Sequence, residues 1–146
     1  MLINKPGKPI RAVTYPGELA VGHTWAFLPD LAETIAQLAD IEASLADFEV
    51  FHFGGHWLEP GVEMVAAIRR AAGNDRLPIR AVPWLLLSLG APFSPFLREL
   101  LEMRYLWRTP LRLDNRKLLA TLGHEPHTPL DEAVVATLAS FGCLPS

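Results

Sequence analysis

Strand-like and helix-like segments alternate through the first half of the chain, and few folds are compatible with that order. The strand-like segments are short and rich in β-branched and aromatic residues. They are Ile10–Tyr15, His23–Leu28, Phe48–Phe53 and Pro78–Val82. The first ends at Pro16-Gly17, which indicates a turn, and helical spacing of apolar residues fills the two later intervals. The order strand, helix, strand, helix, strand predicts an α/β protein built on short parallel strands.

Two helices are predicted in this first half. Pro29-Asp30 opens the first, whose apolar stripe comprises Leu31, Ile35, Leu38 and Leu45. The second is ended by Gly73, and its stripe comprises Val62, Val65, Ile68 and Ala72. The pair Gly54-Gly55 follows the predicted strand Phe48–Phe53 directly, which indicates a tight loop at the end of that strand.

The second half is mostly helical in pattern. Helices are predicted at Trp84–Leu89 and from Pro95 to about Leu106, and a brief extended piece at Leu111–Leu113. Asp114 then caps a short helix that Gly123 ends, with Leu118, Leu119 and Leu122 on its apolar side.

The last helix has the clearest local pattern in the chain. Thr128 is predicted at the N-cap, Pro129 at the first helical position and Asp131 two positions later, which approximates a capping box. Its buried face is predicted to comprise Leu130, Val134, Leu138 and Phe141, and Gly142 ends it.

Size and charge restrict the class of protein. The 146 residues suit one domain spanning 1–146 with a single core. A net charge of −3 lacks the basic excess of a nucleic-acid-binding protein. Prolines interrupt the uncharged stretch 81–97, so we expect no membrane span. Met1–Lys8 lacks the apolar core of a secretory signal, and one cysteine, Cys143, cannot form an internal disulfide, so we expect a cytoplasmic protein.

Motifs for cofactor binding and catalysis are missing from the sequence. A dinucleotide site needs a glycine-rich turn such as G-x-G-x-x-G, and Gly54-Gly55 lacks the third glycine. There is no P-loop and no G-x-S-x-G nucleophile elbow. Neither Tyr15 nor Tyr105 is followed four residues later by a lysine. We therefore assign no catalytic and no cofactor-binding residue.

Four histidines form two closely spaced pairs. His52 and His56 flank Gly54-Gly55, and His124 and His127 flank Pro126. Zinc sites use pairs of histidines, but the H-E-x-x-H arrangement of a metalloprotease helix is missing. We interpret them as loop residues, some of which line a ligand site, and assign no metal ligand. A small metal-dependent hydrolase remains an alternative hypothesis.

A resemblance is carried, in chain order, by the segments Trp25–Ala32, Phe51–His56 and Leu113–Leu118. They are similar to segments of the extended short-chain dehydrogenase/reductases, the NAD-dependent epimerase/dehydratase family. Trp25-Ala-Phe-Leu-Pro-Asp-Leu-Ala32 is similar to the strand and helix that follow the family's catalytic core. Phe51-His-Phe-Gly-Gly-His56 occupies the place of a strand end that borders the family's substrate cleft. Leu113-Asp-Asn-Arg-Lys-Leu118, with Leu122-Gly123 and Pro126, is similar to a late family segment, and the terminal helix matches the family's final helix.

The resemblance implies the substrate-binding, C-terminal portion of an NAD(P)-dependent reductase, without the N-terminal Rossmann half. Its substrate-lining candidates are His23, Trp25, His52, His56 and Trp57. NAD or NADP would be the cofactor of a full-length relative, and no cofactor is expected in this chain alone. The expected partners are a small-molecule substrate and a Rossmann-bearing polypeptide.

A second hypothesis is a free-standing, non-catalytic interaction or oligomerisation module that keeps the same fold. Its apolar face would comprise the uncharged stretch 81–97 together with Trp107, and the chain would associate with itself through this face.

Overall fold

The structure is a computed structural model that describes residues 6–144. This part of the chain contains six α-helices and four short strands, so the α/β class is confirmed. The strands are β1 (Val13–Tyr15), β2 (His23–Trp25), β3 (His56–Leu58) and β4 (Ile79–Ala81). The helices are α1 (Leu28–Asp40), α2 (Val62–Ala71), α3 (Trp84–Gly90), α4 (Pro95–Glu102), α5 (Arg116–Leu122) and α6 (Leu130–Ser140).

The strands form two separate two-stranded sheets. In one, β1 and β4 are parallel, with Val13 opposite Ile79. In the other, β2 and β3 are antiparallel, with Trp25 opposite His56. The parallel arrangement predicted from the element order therefore holds for one pair and is wrong for the other. Alternation along the chain indicates the class of fold, but it does not determine which strands pair.

The strand predicted at Phe48–Phe53 does not form. These residues have no regular structure, and β3 begins after the glycine pair instead of before it. Phe48 is 84% exposed and Val50 is 54% exposed, although their composition is typical of a buried strand. A strand needs a neighbour to accept and donate its backbone hydrogen bonds, and no strand of residues 6–144 lies alongside this segment.

The core lies where β1, α2 and α6 meet. Its members are Val13, Tyr15, Val65, Ala67, Ile68, Val134, Leu138 and Cys143. On α2 these residues follow the helical spacing expected of one buried face, which confirms Val65 and Ile68 in the predicted stripe. On α6, Val134 and Leu138 are buried as predicted, whereas Phe141 is 41% exposed.

The beginning of α6 differs from the predicted capping box. The helix starts at Leu130, and the Thr128 side chain makes no cap hydrogen bond. Its hydroxyl donates to Asp30 Oδ1 over 2.7 Å, and its backbone N–H donates to Asp30 Oδ2 over 2.7 Å. The buried carboxylate of Asp30 thus joins the first turn of α1 to the residues that precede α6.

Several apolar side chains of α1, α3 and α4 are not covered. On α1 the buried residues are Asp30 and Thr34, while Leu28 and Ile35 are largely exposed. On α3, Leu85, Leu86 and Leu89 are exposed, and Phe93 and Phe96 follow them at the surface. Within residues 6–144, none of the helices has both the length and the apolar character needed to cross a bilayer.

Candidate functional site

A cavity of about 180 Å³ lies between β1, the end of β2, α2 and α6. Its walls are apolar and include Val13, Met64, Ile68, Val134 and Leu138. Trp25 and His56 also line it, and none of the lining residues is Asp, Glu, Lys or Arg. An apolar cavity of this kind disfavours ions and favours the uncharged part of a ligand.

Four aromatic rings gather beside the cavity. The Trp107 ring centroid lies 5.2 Å from that of His23, 5.8 Å from that of Trp25 and 6.5 Å from that of Tyr15. Tilted and edge-to-face contacts at these distances are favourable beyond the burial of area. The 3₁₀ turn Met103–Trp107 therefore brings a residue of the second half onto β1 and β2.

His56 is a buried titratable group that lines the cavity. Its ring centroid lies 4.3 Å from that of His127, and its Nε2 has no hydrogen-bond partner within residues 6–144. Burial lowers the pKa of His56, the charge of His127 lowers it further, and Asp30 and Glu125 oppose this. Burial lowers the pKa of His23 as well, partly offset by a backbone hydrogen bond with Trp107. Both rings are therefore neutral near pH 7 and can donate or accept a hydrogen bond.

We expect the protein to lose stability as the pH falls below about 6.5, the ordinary pKa of histidine. In the unfolded chain His56 binds a proton near this pH, whereas in the folded chain its lowered pKa disfavours protonation. The unfolded state therefore binds more protons, and the free energy of unfolding falls with the pH until the folded pKa is passed.

Urea denaturation between about pH 8 and about pH 5 measures this slope. In the His56→Gln variant the free energy of unfolding should depend less steeply on pH. Part of the pH dependence should remain, because the pKa of His23 is also lowered in the folded chain. The matched control is His124→Gln, at an exposed position, which should keep the slope of the unmodified chain. Equal slopes for H56Q and the unmodified chain would contradict the assignment.

The glycine loop before β3 is held by one carboxylate. Glu125 accepts hydrogen bonds from the backbone N–H groups of Gly54 and Gly55, both over 2.8 Å, and from Asn115 Nδ2 over 2.9 Å. Gly55 has φ +56°, a conformation that glycine adopts without strain. These contacts place His56 immediately after the loop, at the start of β3.

We expect Glu125→Gln to lower the free energy of unfolding by about 1–2 kcal/mol, because a neutral amide accepts weaker hydrogen bonds and one of its two acceptor positions becomes a donor. Chemical denaturation measures the loss. Glu132→Gln, on the exposed side of α6, serves as the control and should change stability by less than about 0.5 kcal/mol. A Glu125→Gln loss no larger than that of the control would show that the loop does not depend on this carboxylate.

The structure places three of the five substrate-lining candidates together. His23 is buried in the aromatic cluster, and Trp25 and His56 line the cavity as an opposed pair on β2 and β3. His52 is exposed, and Trp57 lies away from the cavity. The indole N–H of Trp57 donates to Glu59 over 3.3 Å, and the Arg112 guanidinium lies 5.9 Å from its ring centre. Neither His52 nor Trp57 lines the cavity.

Sequence reasoning did not assign Tyr15 or His127 to the site, and it considered Trp107 only for a self-association face. Tyr15 is the last residue of β1 and lies inward, like Val13 two positions earlier. That two-residue alternation was a usable signal for Tyr15. No local pattern indicates Trp107 or His127, because their ring contacts are long-range. Trp107 contacts His23, about 80 positions earlier in the chain, and His127 contacts His56, more than 70 positions earlier.

The two histidine pairs do not form a complete metal site in the described part of the chain. Residues 6–144 contain no group of three or more His, Cys, Asp or Glu side chains placed to hold one ion. The ring centroids of His56 and His127 lie 4.3 Å apart, and His52 is exposed.

Comparison of the chain with protein-family models, with curated proteins and with solved structures found no significant match.

Proposed function

We propose that this chain is the substrate-side, C-terminal half of an NAD(P)-dependent epimerase- or dehydratase-type reductase. The order of its motifs supports this, and so does the α/β architecture with a helical second half. The glycine-rich turn and the Tyr-x-x-x-Lys pair would belong to a nucleotide-binding half outside these residues. The role of this chain is then to bind and orient the substrate, and hydride transfer requires both halves.

The observation that carries the proposal is the unpaired segment Phe48–Phe53. It has the composition of a buried strand, yet it pairs with no strand in the described residues and exposes Phe48 and Val50. Two-stranded sheets such as β1–β4 and β2–β3 are marginal by themselves. An exposed strand-forming segment is a template for adding a neighbouring strand. A Rossmann sheet would supply such strands.

The exposed apolar side of α1 supports the same arrangement. Leu28 and Ile35 belong to a helix that carries an apolar stripe, but residues 6–144 do not cover them. In doubly wound α/β proteins such stripes pack on the face of a parallel sheet. The nucleotide-binding half would cover both α1 and the segment Phe48–Phe53.

Cofactor titration and hydrogen exchange test this proposal. We expect the chain alone to bind neither NADH nor NADPH at concentrations up to about 1 mM, the upper end of ordinary KM values. The nucleotide-binding half that complements this chain is expected to contain the glycine-rich turn and the Tyr-x-x-x-Lys pair. Added to this chain, it should slow amide exchange in 48–53 and leave β1, which is already paired, unchanged. Tight NADH binding by the chain alone would contradict the proposal, as would unaltered exchange in 48–53.

The second candidate is a non-catalytic oligomerisation module, and the surface of α3 and α4 favours it. Leu85, Leu86, Leu89, Phe93 and Phe96 are exposed within one short stretch, and Phe93 is 89% exposed. Patches of this kind mark interaction surfaces. Sedimentation should then show a dimer that Leu86→Ser together with Phe93→Ser converts to a monomer. A monomer at high concentration would exclude this candidate.

A further inference from the structure

The cavity beside Trp25 and His56 is too small for a whole nucleotide or sugar nucleotide. Its volume is about 180 Å³, whereas sites that enclose a complete drug-sized ligand span roughly 300–1,000 Å³. An apolar cavity of about 150 Å³ is known to admit one benzene molecule, which sets the scale. A single six-membered ring or a short branched alkyl group therefore fits, and the remainder of a larger ligand would project from the opening.

Charge restricts the ligand further. None of the lining residues is acidic or basic apart from His56, which is buried. An anion or cation against these apolar walls would lose part of its hydration without gaining an ion pair. Burial lowers the pKa of His56, so this ring does not supply a compensating positive charge near pH 7. The geometry thus disfavours phosphates, carboxylates and amines in the cavity.

Three residues that line the cavity each carry a buried polar atom without a partner. Tyr15 Oη, Trp25 Nε1 and His56 Nε2 make no hydrogen bond within residues 6–144. Indole Nε1–H is a donor only, so it requires an acceptor. A buried donor without an acceptor is costly, and native proteins satisfy nearly all of them. An oxygen carried by the ligand would meet this requirement, and His56 Nε2 can serve the same oxygen or a neighbouring one.

We infer that the cavity binds the apolar end of a neutral small molecule, a single ring or short branched alkyl group that carries a carbonyl or hydroxyl oxygen. This inference deepens the proposed function, because it names the substrate class for the same site. Trp25 acts as hydrogen-bond donor to the ligand oxygen, and the walls from α2 and α6 hold the apolar end.

Three matched probes test the inference on the full chain: acetophenone, benzoate and ethylbenzene. They share one ring and differ in carrying a neutral carbonyl, a charged carboxylate or no oxygen. Ligand-observed NMR should give a Kd near or below about 1 mM for acetophenone, with benzoate and ethylbenzene each about tenfold weaker. Benzoate binding as tightly as acetophenone would overturn the proposed neutrality, and ethylbenzene binding as tightly would overturn the role of the oxygen.

Two variants locate the binding. Ala133→Leu adds three carbon atoms to a cavity wall and should weaken acetophenone binding by about tenfold or more. The matched control is Ala136→Leu, on the exposed side of the same helix, which should leave the affinity unchanged. Trp25→Phe keeps an aromatic wall and removes the N–H, so it should weaken acetophenone binding more than ethylbenzene binding. Unaltered acetophenone binding by both A133L and W25F would overturn the inference.

These experiments are independent of the proposed function. Probe binding requires no cofactor and no second polypeptide. If the nucleotide-binding half slows amide exchange in 48–53 but the chain binds none of the probes, the proposed ligand class is rejected and the reductase proposal stands. Probe binding without any response to the nucleotide-binding half would reject the reductase proposal and leave the cavity as a small-molecule site.

Discussion

Leu138→Ala should lower the free energy of unfolding by about 2–5 kcal/mol, the range for truncating a buried leucine. Leu138 is 1% exposed and belongs to the cluster in which α6 packs against α2 and β1. The substitution removes apolar area from the interior and leaves a void where the side chain stood. Because Leu138 also lines the cavity, the void merges with existing empty space and its walls are poorly placed to collapse. We therefore expect a loss in the upper part of that range.

Val135→Ala, three positions earlier on α6, provides the matched control. Val135 is 42% exposed, against 1% for Leu138, so its truncation should change stability by less than about 0.5 kcal/mol. Urea denaturation followed by circular dichroism measures both variants under the same conditions. Similar losses for the two variants would mean that α6 does not pack through its Leu138 face, and the core described above would be incorrect.

The parts of the fold that follow from local rules were predictable. Helix α2 was indicated by the spacing of Val65 and Ile68 and by Gly73, which has φ +61° just beyond the helix end. Strand β1 was indicated by a β-branched and aromatic run ending at Pro16-Gly17. In these cases the burial, the hydrogen bonding and the chain reversal all depend on residues within a few positions of one another.

The segment Phe48–Phe53 shows where local rules stop. Its composition predicts a strand, but a strand exists only beside another strand, and no strand of residues 6–144 pairs with this segment. Thr128 shows the same limit at a helix end. Its sequence context predicts a cap, but the carboxylate of Asp30, 98 positions away, takes its hydroxyl and N–H instead.

The candidate site was predictable in part for the same reason. His23, Trp25 and His56 were identified from motifs, and pairing of β2 with β3 brings them together. Trp107 reaches them because residues 103–107 fold back onto β1 and β2, which is a tertiary event with no local pattern. The position of Trp57 follows from strand alternation: it adjoins His56 on β3, so its side chain lies on the opposite face.

Gly55→Ala should lower the free energy of unfolding by about 3 kcal/mol, combining the cost of a left-handed backbone with that of overpacking. Gly55 has φ +56°, and a Cβ placed on it would lie 2.5 Å from the carbonyl oxygen of Trp25. That atom belongs to the backbone of β2, so it cannot move aside without disturbing the pairing of Trp25 with His56. Both of these residues line the cavity, so acetophenone binding should weaken together with stability.

Gly73→Ala separates the two causes. Gly73 has φ +61°, nearly the same conformation, but a Cβ there would meet nothing within 4 Å. It should therefore incur only the backbone cost of about 1–2 kcal/mol. The additional loss of unfolding free energy in Gly55→Ala measures how closely the glycine loop approaches β2. Because the new Cβ disturbs the pairing of Trp25 with His56, the NMR resonances of His56 should also shift in this variant. Equal losses at the two positions would show that the loop has room for a side chain, and the packing that positions His56 opposite Trp25 would then need another origin.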